Sequence, residues 1–250
     1  MQIVGVIPAR YNSTRFPGKP LAEILGKPMI QWVYERAKQS SFLERVIVAT
    51  DDTRIYQIVR EFKGEAAMTS PSHQSGTDRV AETVRNIDCQ IVINIQGDEP
   101  LIEPAIINQL AQTMLNDDNL LMATLATRFS NRQELENPNT VKILIDKDNY
   151  ALYFSRAIIP CFREKEEFNL GIFLKHIGIY AYRKDFLLNF TQWPPSLLEK
   201  VEKLEQLRAI ENGVKIKVIR TDFDSLPIDL PEDLEKIKYQ ISKIKMTNQN

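Results

Sequence analysis

Four polar segments hold the residues best suited to chemistry. The first is Pro8-Ala9-Arg10-Tyr11-Asn12-Ser13-Thr14-Arg15-Phe16-Pro17-Gly18-Lys19-Pro20, which gathers the cations Arg10, Arg15 and Lys19 in one connection. Guanidinium forks bind two oxygens at once and an ammonium acts as a point charge, so the set suits a polyphosphate. Prolines 8, 17 and 20 stiffen the segment, and Gly18 permits a tight turn. The second is Gln96-Gly97-Asp98-Glu99-Pro100. Its aspartate, behind a glycine that lets a ligand approach, suits Mg²⁺, which takes one or two carboxylates with phosphate oxygens and water. It equally suits a turn in which Asp98 caps backbone amides, with Glu99 in a supporting place. The third is Ser72-His73-Gln74-Ser75-Gly76-Thr77-Asp78-Arg79. Ser75, Thr77 or Asp78 can cap a following helix, and small polar groups there can line a base pocket. His73 makes no metal site alone, because the other histidine, His176, is remote in sequence. The fourth is Ile228-Asp229-Leu230-Pro231-Glu232-Asp233-Leu234. Asp229 can cap the last helix or join Asp98 as a second metal ligand, and spacing does not choose between them.

The common nucleotide loops are absent. No two of the nine glycines are separated by a single residue, so G-x-G-x-x-G is missing, which disfavours a dinucleotide oxidoreductase. Gly18-Lys19 and Gly26-Lys27 are each followed by proline, and no glycine stands where a P-loop needs its first one. Phosphate binding must therefore lean on side-chain cations.

These segments need elements to hold them. Ile3–Ile7, Arg45–Thr50 and Gln90–Ile95 are short apolar runs that suit strands buried on both faces. Helical spacing appears at Met29, Ile30, Val33, Tyr34 and Ala37, at Ile55, Ile58, Val59 and Phe62, over Asp78–Arg85 and over Pro104–Leu115. Such alternation predicts a mostly parallel sheet with helices on both faces, whose ligands bind at the carboxyl ends of the strands. The middle differs. Leu120–Thr127, Val141–Ile145, Tyr150–Ser155 and Ile177–Tyr182 read as strands, with loop-like Asn131–Asn139 and Arg163–Asn169 between them. A few antiparallel strands within about residues 128–185 are expected as a subdomain or dimer arm. Then Leu198, Val201, Leu204 and Leu207 suggest one helix, Val214–Ile219 a strand, and Leu234, Ile237, Ile241 and Ile244 a last helix before a polar tail. The expected organisation is a single α/β domain over residues 1–245. In these later elements Arg156, His176, Tyr180, Glu205 and Gln206 read by composition alone as structural.

With 250 residues, 43% hydrophobic and 26% charged, the chain is long enough for a substantial core and too apolar for disorder. Thirty-two basic against 33 acidic residues leave −1, so no global basic footprint for nucleic acid exists. No apolar run reaches the ~18 residues of a membrane span. The first residues lack a signal-peptide pattern. Cys89 and Cys161 form no disulfide framework, and a reducing cytoplasm is the expected compartment.

Taken together, Pro8-Ala9-Arg10 through Arg15-Phe16-Pro17-Gly18-Lys19-Pro20-Leu21, His73-Gln74-Ser75-Gly76-Thr77, Asn94-Ile95-Gln96-Gly97-Asp98-Glu99-Pro100, Asn137-Pro138-Asn139, Tyr150-Ala151-Leu152-Tyr153-Phe154-Ser155-Arg156, His176-Ile177-Gly178-Ile179-Tyr180 and Leu204-Glu205-Gln206-Leu207-Arg208 resemble, in order, the signatures of the 3-deoxy-D-manno-octulosonate (Kdo) cytidylyltransferase family. The first loop alone is shared with other nucleotidyltransferases; the series is far more specific. The resemblance implies a nucleotide-diphosphosugar-transferase-like α/β fold, a homodimer, and Mg²⁺-dependent transfer of CMP from CTP to the anomeric hydroxyl of Kdo or an analogue such as its 8-amino form, for lipopolysaccharide assembly. Membrane and nucleic acid are not implied as partners. A catalytically inactive nucleotide-binding regulator is the competing reading. The resemblance assigns Arg10, Arg15, Lys19 and Asp98 to catalysis. It places Ala9, Arg10, Arg15, Lys19, Ser75, Gly76, Arg79 and Gln96 around CTP, Asp98 and Asp229 on the metal, and Gln96, Lys142, Arg156, His176, Tyr180, Glu205 and Gln206 around the sugar. Two departures stand out: Leu230 replaces a threonine and cannot cap the last helix through its side chain, and Asp78 replaces a glutamate.

Overall fold

The computed structural model describes residues 2–12, 16–224, 226–228 and 230–247. Arg15 and Asp229 lie outside these. In chain order the strands and α-helices are β1 (Ile3–Ala9), β2 (Glu23–Ile24), β3 (Lys27–Pro28), α1 (Met29–Ala37), β4 (Arg45–Thr50), α2 (Thr53–Glu61), β5 (Glu65–Met68), α3 (Gly76–Val84), β6 (Ile91–Asn94), α4 (Pro104–Asn116), β7 (Met122–Arg128), α5 (Arg132–Glu136), β8 (Lys142–Ile145), β9 (Ala151–Ser155), β10 (Leu174–Arg183), α6 (Lys184–Phe190), α7 (Leu197–Glu202), α8 (Gln206–Glu211), β11 (Ile216–Arg220) and α9 (Asp233–Thr247). The chain divides into two compact units, Met1–Asn108 with Ser225–Asn250, and Gln109–Asp224.

In the first unit β1 pairs in parallel with β4 and with β6, and β4 with β5. The runs that form β1, β4 and β6 are buried almost throughout, as a parallel sheet covered on both faces requires. Ile24, Met29, Ile228, Ile237 and Ile241 form a buried cluster with Trp32 and Leu234. That cluster draws the C-terminal segment, through α9, against the β2–β3 hairpin and α1. Leu230 starts the approach to α9 without a capping side chain, yet Asp233 reaches back and its carboxylate accepts the Leu230 N–H at 3.0 Å. That contact ties the Leu230 backbone to the first residue of α9.

The second unit is mixed. β7 pairs in parallel with β11 and antiparallel with β10, while β10 pairs antiparallel with β8, and β8 with β9. The antiparallel strands β8, β9 and β10 lie in the stretch expected to be rich in strands. Two expectations are corrected here. Residues 131–139 are not all loop: Asn131 accepts the Glu134 N–H at 2.9 Å and caps α5. The helix expected to run through Leu198 and Leu207 is two helices, because Lys203 takes a left-handed conformation (φ 55°) that ends α7. Buried Lys175 on β10 pairs with Glu134 and Asp224, which fixes α5 to the sheet.

Candidate functional site

A cleft opens where β1 and β6 end. It has a volume of about 310 Å³ and is bounded by Arg10, Lys19, Ser75, Arg79, Gln96 and Asp98, with Pro8, Ala9, His73, Gln74 and Gly76 among the remaining walls. That size is at the lower end for small-ligand sites. Strand register creates it: Val6 lies beside Asn94, and the Ile95 N–H donates to the Val6 carbonyl at 2.9 Å, so both chains leave the sheet side by side. Gly97 is required at this exit. A Cβ there would lie 2.9 Å from the Pro8 carbonyl oxygen.

Lys19 reaches the cleft from a short 3₁₀ turn, Lys19–Leu21. Gly18 enters that turn at φ 71° and donates its N–H to the Tyr11 carbonyl at 2.8 Å, closing the base of the loop. The Lys19 ammonium donates to Asp98 Oδ2 at 2.7 Å and to the Ile228 carbonyl at 2.7 Å. Ile228 in turn donates its N–H to the Asp98 carbonyl at 2.9 Å. Three segments remote in sequence are therefore tied together at Asp98, and the residue following Ile228 is Asp229. Arg10 is exposed at the cleft and has no ion-pair partner among the described residues, so its guanidinium is available to an anion.

The wall facing the third segment is pre-formed. Ser75, one of three possible caps, is the cap used: its hydroxyl accepts the Asp78 N–H at 3.1 Å, and Asp78 accepts the Ser75 N–H at 3.1 Å. The shorter Asp78 therefore completes the capping box that begins α3. Arg79 is buried, and its guanidinium donates to Asp51 and Thr69, so part of its fork is committed to the protein. His73 and Gln74 line the cleft; the sequence placed them in the third segment but gave neither a ligand-binding role. The His73 ring bonds through Nε2 to Glu82, which also accepts the Ser70 N–H at 2.9 Å. That link bridges nine positions and matches no motif in the sequence.

The other expected sugar residues lie in the second unit. His176 and Tyr180 follow one another on β10 with rings 5.3 Å apart. Burial pushes the His176 pKa down to about 3, so its ring is neutral near pH 7. Thr124 lies beside it, its hydroxyl 2.8 Å from the Ile179 carbonyl and 3.1 Å from His176 Nε2. The Tyr180 hydroxyl is held in its protonated form first by burial, then by Tyr182 and Glu205. Gln206 is buried at the start of α8. Arg156 donates Nε to the Glu202 carbonyl at 2.7 Å and Nη1 to the Pro138 carbonyl at 3.0 Å.

Lys142 has a different place from the one expected. Its side chain is fully buried, and the ammonium donates to the carbonyls of Asn137, Thr140 and Arg156 at 2.8, 2.9 and 3.1 Å. All three protons are spent on backbone, leaving none for a sugar carboxylate. Burial, then nearby Arg156, lowers its pKa.

A parallel sheet with a cationic cleft that carries Asp98 at its strand ends suits a nucleotidyltransferase, and the signature of the cytidylyltransferases matches residues 4–216. The 3-deoxy-manno-octulosonate cytidylyltransferase of Trichlorobacter lovleyi is 50% identical over 251 residues, covering 97% of this chain and 100% of that one. The structure of CMP:2-keto-3-deoxy-manno-octonic acid synthetase complexed with CTP superposes with a TM-score of 0.91 at 45% identity, over 97% of this chain and 99% of that one. The chain belongs to the 3-deoxy-manno-octulosonate cytidylyltransferase family. The 4-diphosphocytidyl-2C-methyl-D-erythritol synthase of Anaerococcus prevotii shares the fold at 13% identity, with a TM-score of 0.63.

Proposed function

We propose that this protein transfers CMP from CTP to the anomeric hydroxyl of Kdo, releasing pyrophosphate and supplying lipopolysaccharide biosynthesis. The observation that carries this reading is the convergence of Arg10, Lys19 and Asp98 on one cleft in a chain with these relatives. Phosphoryl-type transfer depends chiefly on positioning and charge stabilisation. Arg10 and Lys19, with Arg15, bind the triphosphate and take up negative charge as pyrophosphate leaves in line. The Ser75–Gly76 turn, the Gln96 side chain and the Ala9 backbone hold the nucleoside, with Arg79 fixing that wall from behind. Arg156, His176, Tyr180, Glu205 and Gln206 supply mixed donors and acceptors suited to a polyhydroxylated keto acid. Lys142 acts by holding the 137–140 loop and the Arg156 backbone in place.

The family reading includes Mg²⁺, and the donor chemistry fits. Asp98 is a hard oxygen donor opening on the cleft, and among the described residues no group of three or more His, Cys, Asp or Glu could enclose a metal. Mg²⁺ suits such a site because it takes few carboxylates and fills its shell with phosphate oxygens and water. Asp98 and Asp229 would hold it, and when bound it would supply positive charge to the phosphates and the attacking hydroxyl. A homodimer and a cytoplasmic location complete the reading; both cysteines are free thiols, which fits a reducing compartment. No helix among the described residues is long and apolar enough to cross a membrane.

Pyrophosphate release with CTP, measured across Kdo, 8-amino-Kdo and sialate with and without Mg²⁺, tests the reading. Turnover of Kdo that requires Mg²⁺ and falls at least a hundredfold in Asp98→Asn is expected. Turnover of sialate but not Kdo, or an Asp98→Asn enzyme of unchanged rate, would overturn the substrate or the metal assignment respectively.

A further inference from the structure

The Lys19 ammonium sits on one carboxylate oxygen and one backbone carbonyl, Asp98 Oδ2 and Ile228 O, both at 2.7 Å. An anionic oxygen with a carbonyl beside it is also the donor set a hard divalent cation takes. We infer that Lys19 occupies the metal-binding position at Asp98 before nucleotide arrives, excluding a divalent cation from the empty cleft, and moves to the triphosphate when CTP binds. This rests on the reading that Asp98 is a metal ligand.

The local structure permits that exchange without backbone movement. The Lys19 main chain is fixed by its turn, with Leu21 N–H donating to Gly18 O at 2.8 Å and Ala22 N–H to Lys19 O at 3.0 Å. Asp98 is fixed from the other side by the Ile228 N–H on its carbonyl. Only the lysine stem has to swing, and a flexible four-carbon stem with a compact charge is suited to that, unlike a planar guanidinium. The ammonium and its carboxylate are mostly screened from solvent, with side-chain exposures of 14% and 27%, so their attraction is stronger than that of a surface pair. A divalent ion entering alone would have to displace the ammonium from both the Asp98 carboxylate and the Ile228 carbonyl. Entering with CTP, it meets phosphate oxygens that recruit the ammonium at the same moment. CTP and the metal therefore favour each other's binding through Lys19, and the coupling is reciprocal.

Equilibrium Mn²⁺ binding, followed by the free-ion electron paramagnetic resonance signal without sugar so that no turnover occurs, tests this. In the absence of CTP, Lys19→Met is expected to bind Mn²⁺ at least tenfold more tightly than the wild type. The factor by which CTP tightens Mn²⁺ binding should be smaller in the variant than in the wild type. Lys19→Gln, checked by circular dichroism alongside Lys19→Met, serves if the methionine variant is not folded. Equal or weaker Mn²⁺ binding by the folded Lys19 variants without CTP would overturn the inference. Asp98→Asn separates this from failure of the underlying reading: if it leaves Mn²⁺ binding to the CTP complex unchanged, Asp98 is not the metal ligand and both fall. If Asp98→Asn abolishes that binding while the Lys19 variants show no gain, only the placeholder role falls.

Discussion

At Lys142 an ammonium is buried with no ion pair among the described residues and only the nearby charge of Glu202 to favour it, and geometry explains why this is tolerated. Three carbonyls surround an ammonium with three protons, so the desolvated charge is met by aligned dipoles. Lys142→Ala would strand those carbonyls inside the second unit. Loss of roughly 3 kcal/mol in urea unfolding is expected, since hydrogen bonds to charged groups are each worth about 1.5–3 kcal/mol and the loop can recover part by hydration. An unchanged unfolding midpoint would show that the cage is dispensable. His176 yields a pH prediction. Its folded pKa, about 3, lies below the ordinary histidine value of 6.5, so between these values the unfolded chain holds a proton that the folded chain does not. Stability therefore rises with pH across this window and is already lost, as pH falls, from about 6.5 downward. His176→Gln should flatten that slope, which chemical denaturation at pH 4.5, 5.5 and 7.5 would reveal; parallel slopes would refute the assignment.

At the scale of elements, the site exists because two parallel strands end together. Gly97 packs so closely on the Pro8 carbonyl that any side chain must push the β6 exit from the β1 exit. Gly97→Ala is therefore expected to reduce kcat/KM for CTP at least tenfold, while circular dichroism stays unchanged; wild-type kinetics would mean that the loop relaxes freely. The same strands were legible in the sequence, because doubly buried runs such as Val46-Ile47-Val48-Ala49 have a signal independent of their neighbours. β5 was not: Glu65-Ala66-Ala67-Met68 is an edge strand of small and polar residues, held in place by β4 rather than by its own pattern. α5 has one buried residue, Leu135, and five residues carry no helical period. The break between α7 and α8 was hidden for the opposite reason. Leu198, Val201, Leu204 and Leu207 keep helical spacing across it, and a lysine gives no warning of a left-handed turn. For the site, Arg10, Lys19 and Asp98 could be placed near one another from sequence because their segments follow strands. The fate of Lys142 and the His73–Glu82 link depends on which backbone and side chains meet in space, which spacing along one chain does not encode.

For the whole molecule, the remaining question is what covers the apolar surface of the second unit. Leu197 and Val201 are 71% and 72% exposed and sit four residues apart on α7, on one face of that helix. α7 is anchored by its capping box, Ser196 with Glu199, and Glu202 accepts hydrogen bonds from Ser155 and the Arg156 N–H. Two large aliphatic residues on a rigidly held helix gain by leaving water, each by about 1.5–3 kcal/mol when fully buried. The homodimer proposed above offers a second copy as the occupant. If α7 lies in that interface, Leu197→Asp with Val201→Asp introduces two like charges on each side of a symmetric contact. The expected result is a shift from dimer to monomer in size-exclusion chromatography with light scattering, with far-ultraviolet circular dichroism preserved because neither side chain is part of the core. A double variant that stays dimeric at low micromolar concentration would remove α7 from the interface.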